Sequence, residues 1–217
     1  MTPTPRLSIG MLLTAAAGFA DAVGFIVLGG HFVSFMSGNT TQLGAALASG
    51  TGATVMLATG LLVLFFAGSF AGSMAAVLAG PRWGSATVTG MVLTAVMAVL
   101  VVVTLGGSEQ IGMAILAAGA GAQNAILVST GSVRLGTTFV TGTLFTAGHD
   151  LAQALKGRAP PWRWLQHLLV WGSLLGGALL GALAYGQWAI WSLILPALIY
   201  AGFTIAFIVR APAEVVH

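Results

Sequence analysis

Apolar residues run through the chain in eight blocks, roughly 7–29, 33–49, 53–80, 85–106, 109–130, 138–155, 163–186 and 188–209, separated by short clusters of Gly, Pro and charge. The stretches 53–80, 84–107 and 187–209 carry no charged residue, and each is long enough to cross a hydrocarbon core of about 30 Å as a helix. No block reads as a soluble domain or a flexible linker; the longest polar break is KGRAPPWRW at 156–164. Against this background SFMSGNTTQLG (34–44) is anomalous, because it concentrates uncharged hydrogen-bonding side chains between apolar runs.

Composition fixes the class. Of 217 residues, 58% are hydrophobic and 5% charged, against about 25% charged in soluble domains. The expectation is an all-α polytopic membrane protein, one membrane domain over 1–217. The N-terminal stretch MTPTPRLSIGMLLTAAAGFADAVGF is read as a retained first helix, since Asp21 interrupts it and no clean cleavage site follows. There is no cysteine, which excludes disulfides, zinc–thiolate sites and cysteine nucleophiles. The net charge of +3 comes from bases too few and scattered to form a phosphate-binding face, so nucleic acid is not an expected partner. Those bases instead report topology.

The chain also repeats itself. FMSGNTTQLGAAL (35–47) lies over FVTGTLFTAGHDL (139–151) at an offset of 104, and the same offset carries GSFAG (68–72) onto GSLLG (172–176). With a one-residue slip, ADA (20–22) falls on QNA (123–125). The repeats are placed at about 7–106 and 109–210. Gly68, Gly72, Gly172 and Gly176 are assigned to helix packing as small-xxx-small faces.

If all eight blocks span, Arg82 and Arg134 fall outside the cell. If 33–49 and 138–155 instead enter and leave on one side, all seven basic residues become cytoplasmic and Glu109 external. The positive-inside rule favours the second arrangement: six transmembrane helices plus two short re-entrant or broken helices, with both termini cytoplasmic. Three passes per repeat is odd, so the second repeat must be inverted, the architecture of many secondary transporters.

A re-entrant segment must hide its irregular backbone in protein or in a wet cavity. The expected helix starts at Asn39, with Ser37 or Asn39 as N-cap and Gly38 allowing a tight turn and close approach of a ligand. Its inverted copy starts at Thr141, Gly142 and Thr143. The two helix starts would offer unpaired N–H groups to a small polar or anionic solute at mid-membrane. Expected solute-binding residues are thus Ser37, Gly38, Asn39, Thr40, Gln123, Asn124, Thr141, Gly142 and Thr143. Asp21, a carboxyl mid-way along the first helix, is the expected proton or ion coupling site, beside the plainer reading of a hydrogen-bonded structural carboxyl. Arg134, His149 and Asp150 are placed at the cytoplasmic mouth, where the His–Asp pair also reads simply as solvated. Trp162, Trp164, Trp188 and Trp191 read as interfacial anchors, and Pro196 as a kink within the last helix.

The chain has no HExxH, GxSxG or Walker loop, and its four histidines lack metal-ligand spacing. No enzyme, metal or cofactor is expected. AGFADAVGF, FVSFMSGNTTQLG, GAQNA and TTFVTGTL together resemble the YoaK-like family of bacterial inner-membrane proteins, a domain-of-unknown-function group. The resemblance covers nearly the whole chain, with Ser37 where Thr is commoner. It implies a bacterial inner (cell) membrane location and about six spans. The leading expectation is a secondary transporter or channel-like permease for a small polar or anionic solute, with proton coupling through Asp21. The alternative is a non-transporting membrane scaffold or sensor acting through a protein partner. The lipid bilayer is the expected partner besides the solute, and the oligomeric state is left open, a homo-oligomer included.

Overall fold

The structure, a computed structural model, describes residues 4–126 and 140–210, with side chains over 7–126 and 141–210. Arg134 lies outside them. Every regular element among the described residues is helical: α1 (Thr4–Val27), α2 (Met36–Ser49), α3 (Gly52–Thr104), α4 (Glu109–Gln123), α5 (Val140–Leu155), α6 (Arg163–Trp188) and α7 (Ile194–Arg210), with a short 3₁₀ segment, Ala189–Leu193, joining the last two. Three stretches are long and apolar enough to cross a membrane: Leu7–Val27, Gly52–Thr104 and Arg163–Arg210.

The second of these cannot be one straight rod. Its 53 residues would extend about 80 Å. At Gly80 the backbone leaves the helical region, with φ 71° and ψ −179°, a conformation open to Gly, and Pro81 follows with no N–H to continue the ladder. A Cβ on Gly84 would lie 3.0 Å from the Ala76 carbonyl oxygen, although residues eight apart on a straight helix stand about 12 Å apart. The chain therefore doubles back, giving a first arm (52–79) and a second arm (82–104). The third stretch breaks in the same way at Ala189, with φ 47° and ψ −138°. This changes the reading of Pro196: it lies in the first turn of α7 rather than kinking a continuous helix, and in a first turn the missing N–H has no partner to lose.

Two helix pairs carry the fold, and they pack alike. A Cβ placed on Gly18, Gly177 or Gly181 would come within 3 Å of Leu174, Ala15 and Phe19 backbone atoms respectively, so α1 and α6 touch main chain to main chain. A Cβ on Gly121, Gly68 or Gly72 would meet Phe65, Ala118 and Ala122 in the same way, joining α4 to the first arm of α3. For Gly18 and Gly121 even the contacted atoms correspond: the Leu174 carbonyl and Ala178 N in one case, the Phe65 carbonyl and Ser69 N in the other. Residues of α1 thus match α4 at an offset of 103, and the first arm of α3 matches α6 at 109. Gly80 and Ala189, the two breaks, also stand 109 apart.

The offset grows because the second link is longer. Two residues, 50–51, join α2 to α3, whereas seven, 156–162, join α5 to α6. That longer link shifts the register of α6 against the first arm of α3, and the expected pairing of GSFAG with GSLLG is overturned. The packed counterparts of Gly68 and Gly72 are Gly177 and Gly181. Gly172 and Gly176 are exposed, and a Cβ on either meets nothing within 4 Å.

Contact register also gives directions. Ala118 and Ala122 climb α4 as Gly68 and Gly72 climb the first arm, so these run parallel; α1 and α6 do likewise at Ala15–Gly177 and Phe19–Gly181. The second arm runs antiparallel to α4, with Gly112 at Val99 and Gly119 at Ala95. Between the pairs lies a core of Leu13, Val23, Val88, Val92, Val96, Met113, Leu116 and Leu193, buried almost completely.

Candidate functional site

The chain leaves α1 at Val27 and returns to α2 at Met36 through a loop closed by polar contacts. Asp21, one turn and a half before the end of α1, points back at it. The Ser34 N–H donates to Asp21 Oδ1 at 2.7 Å, and Ser34 Oγ donates to Oδ2. The main chains of Val33 and Phe35 also face this carboxyl. Asn39 closes the other side: its Oδ1 accepts from Phe32 N–H at 3.0 Å, and its Nδ2 donates to the Phe32 carbonyl at 2.7 Å. Gln42 Nε2 donates to the Gly30 carbonyl at 2.7 Å. Two buried atoms near this loop, His31 Nε2 and Gln42 Oε1, have no partner among the described residues.

The helix start differs from expectation. It falls at Met36, so Ser37 and Asn39 lie inside α2, and no side chain caps its N-terminus. Asp21 already occupies the donors just ahead of it. Asn39 is fully buried and its amide is committed to Phe32. Gly38 lies beneath two rings: a Cβ there would come 2.7 Å from Phe35 and 3.0 Å from Phe32. Ser37 is exposed, and Thr40 and Thr41 are exposed with hydroxyls bonded back to Met36 and Ser37 carbonyls.

Gln123 is at the other side of the core, 3% exposed. Its Nε2 donates to the Leu13 carbonyl at 2.9 Å, tying α4 to α1, and its Oε1 accepts from Tyr200 Oη at 2.6 Å, tying α4 to α7. Asn124 turns its amide back on α4 carbonyls at Ala120 and Gly121. Ser34, Gln123 and Tyr200 converge on a small cavity where α1, α4, α7 and the second arm of α3 meet, walled by Val92, Val96 and Leu116. It holds about 10 Å³, roughly the room of one water.

The expected second helix start stands apart from this centre. Thr141 and Gly142 are exposed in the first turn of α5 and Thr143 is half-buried; none lines the cavity. His149 is exposed and stacks on Phe145, with ring centroids 6.3 Å apart. Asp150, expected to be solvated, is buried and ion-paired. Arg163 Nε and Nη2 donate to its two oxygens at 2.7 and 2.6 Å, and His167 Nε2 lies 3.3 Å away. The guanidinium holds this carboxyl below the usual carboxylate range.

A family model described as "Protein of unknown function (DUF1275)" matches residues 9–206. The chain belongs to the DUF1275 family. It is also 32% identical over 193 residues, 86% of this chain and 82% of the relative, to the UPF0700 transmembrane protein RA0705 of Rhizobium meliloti (strain 1021). No solved structure matches. The likeness to YoaK-like proteins read from the motifs is thus carried by a membrane family of unknown function, and membrane residence rests on the relative and the apolar helices together.

In this DUF1275 protein, sequence reasoning found Asp21 and Gln123 but not Ser34 or Tyr200 as their partners. Ser34 opens the polar stretch, a signal that was present. Tyr200 stands 77 residues from Gln123, in a helix otherwise nearly devoid of polar groups, and that isolation was the available clue.

Proposed function

We propose that the chain is a secondary transporter or channel-like permease for a small polar or anionic solute, built as two inverted three-pass repeats. The passes are α1, the two arms of α3, α4, α6 and α7, while α2 and α5 re-enter. At 14 residues, α2 reaches about 21 Å, short of a core of about 30 Å. Each repeat's first helix packs on the other repeat's second helix, so exchanging the repeats exchanges two equivalent interfaces, as a two-fold axis requires. The Gln123 bond to the Leu13 carbonyl ties α4 to α1 where the two repeats meet. The likeness to YoaK-like proteins supports a bacterial inner-membrane location, and the placement of the bases supports cytoplasmic termini.

One observation carries the functional reading: a titratable side chain, Asp21, holds a re-entrant loop shut beside a small, mostly apolar cavity into which both repeats send hydrogen-bonding side chains. An intramembrane carboxyl is expensive unless it works or is paired. This one is paired to Ser34, the residue lining the cavity. Protonating Asp21 removes the charge that Ser34 N–H and Oγ satisfy, which loosens the loop and links its opening to a proton. The second repeat has Asn124 at the matching position, which cannot titrate, so coupling belongs to one side alone.

The test is solute flux in proteoliposomes under an imposed pH gradient. Wild type is expected to move solute faster with the gradient than without it, and Asp21→Asn to lose that dependence. Equal gradient dependence in the variant would overturn the coupling role. Absence of any flux would favour a scaffold.

A further inference from the structure

The proposed transporter leaves open whether its solute is polar or anionic, and the centre of the molecule distinguishes the two. We infer that the solute crosses the centre uncharged, as a small hydrogen-bonding molecule with an apolar body, and that Ser34, Gln123 and Tyr200 select it. The inference rests on the transport reading of this cavity.

Three observations carry it. First, the groups that line the cavity are neutral: one hydroxyl from Ser34, one carboxamide from Gln123 and one phenol from Tyr200, at 4%, 3% and 3% exposure. No described cation reaches it; Arg163 is paired with Asp150, and Arg82 stacks on Trp83 at the tip of the α3 hairpin. An anion without a buried cation beside it pays a large desolvation penalty in such a place, and the nearest charge, the Asp21 carboxylate, repels it. Second, the Ser34 N–H and hydroxyl ahead of α2, the position where an anion would dock, are taken by the carboxyl of Asp21. An arriving anion would have to displace a carboxylate from its own donors. A neutral solute needs only the bonding capacity left over: one N–H of the Gln123 amide, and lone pairs on Tyr200 Oη and Ser34 Oγ. Third, the remaining wall is aliphatic, with Val92, Val96 and Leu116, which accepts a hydrocarbon body and offers an ion nothing. In this closed conformation the walls must part for anything larger than water.

Stopped-flow light scattering on proteoliposomes distinguishes the outcomes, with urea, acetamide and glycerol as neutral probes and potassium formate and chloride as ionic ones. Re-swelling in at least one neutral probe is expected to exceed that of protein-free liposomes about tenfold. Tyr200→Phe, which removes one hydroxyl and keeps the ring, is expected to lower that rate by about tenfold, the worth of one buried hydrogen bond. A Ser34→Ala variant gives a second reading should the first fold poorly. Formate or chloride entry that produces a valinomycin-dependent current, with neutral probes at background, overturns the inference and leaves transport standing. No flux of any probe by folded wild-type protein overturns both.

Discussion

Asn39 shows how a residue chosen for chemistry can serve architecture. Its carboxamide pairs with both the N–H and the carbonyl of Phe32 while fully buried, so it does for the loop what a strand partner would do. Asn39→Ala leaves two part-buried main-chain groups of Phe32 unpaired, at about 1–2 kcal/mol each. A thermal melt in detergent should show destabilisation of about 2–4 kcal/mol, whereas Thr40→Ala, an exposed change, should stay within about 0.5 kcal/mol. A wild-type melting temperature for Asn39→Ala would remove its structural role. Asp150 offers a pH handle outside the spanning segments. Arg163 lowers its folded-state pKa, so the unfolded chain binds the proton more readily. The stabilisation is therefore complete above the ordinary carboxylate value near 3.9 and fades as pH falls through the lowered one. Melting temperature measured from pH 7 to pH 3 should fall more steeply for wild type than for Asp150→Asn; parallel profiles would show that the pair contributes nothing.

Among the elements, glycine positions separate packing from coincidence. Gly18→Ala and Gly121→Ala each push a Cβ against a facing carbonyl in equivalent surroundings. They should destabilise by similar amounts, about 1–3 kcal/mol as for overpacked cores, while Gly172→Ala and Gly176→Ala should be neutral or mildly stabilising. Unequal losses at 18 and 121 would count against equivalence of the two interfaces. Ala189 tests the other shared feature. Its φ of 47° is a conformation L side chains avoid, and its counterpart at the α3 break is Gly80, so Ala189→Gly should raise stability by about 0.5–1 kcal/mol. The sequence carried much of this and misled in one place. The match of 35–47 with 139–151 aligns two short helices, α2 and α5, that follow α1 and α4 in chain order. The glycine match failed because a constant offset cannot register five extra residues in a link, and Gly-rich segments align in several frames. Asp21 and Gln123 were visible as polar groups in apolar helices, whereas their bonds to Ser34 and Tyr200 depend on loop closure and on contacts between distant helices, which no local pattern encodes.

At the scale of the whole molecule, the order of passes decides what the paired interfaces mean. With six passes, the hairpin tip at Arg82 and the α5–α6 link at Lys156 face the same side, and Thr51 and Leu105 face the other. With eight, α2 and α5 would span, and Arg82 and Lys156 would lie on opposite sides. The chain contains no cysteine, so single-cysteine variants need no prior background removal. In right-side-out vesicles, a membrane-impermeant maleimide should label Thr51→Cys and Leu105→Cys, the latter position being 81% exposed. It should leave Arg82→Cys and Lys156→Cys unlabelled until the membrane is opened. External labelling of Arg82→Cys together with protection of Lys156→Cys would reject six passes. The two helix pairs would then be related by an axis along the membrane normal. Asp21 and Asn124 would lie in helices running the same way, and the single titratable carboxyl could no longer bias one face of the membrane against the other. The proton-coupled reading of Asp21 therefore depends on this labelling pattern as much as on any flux measurement.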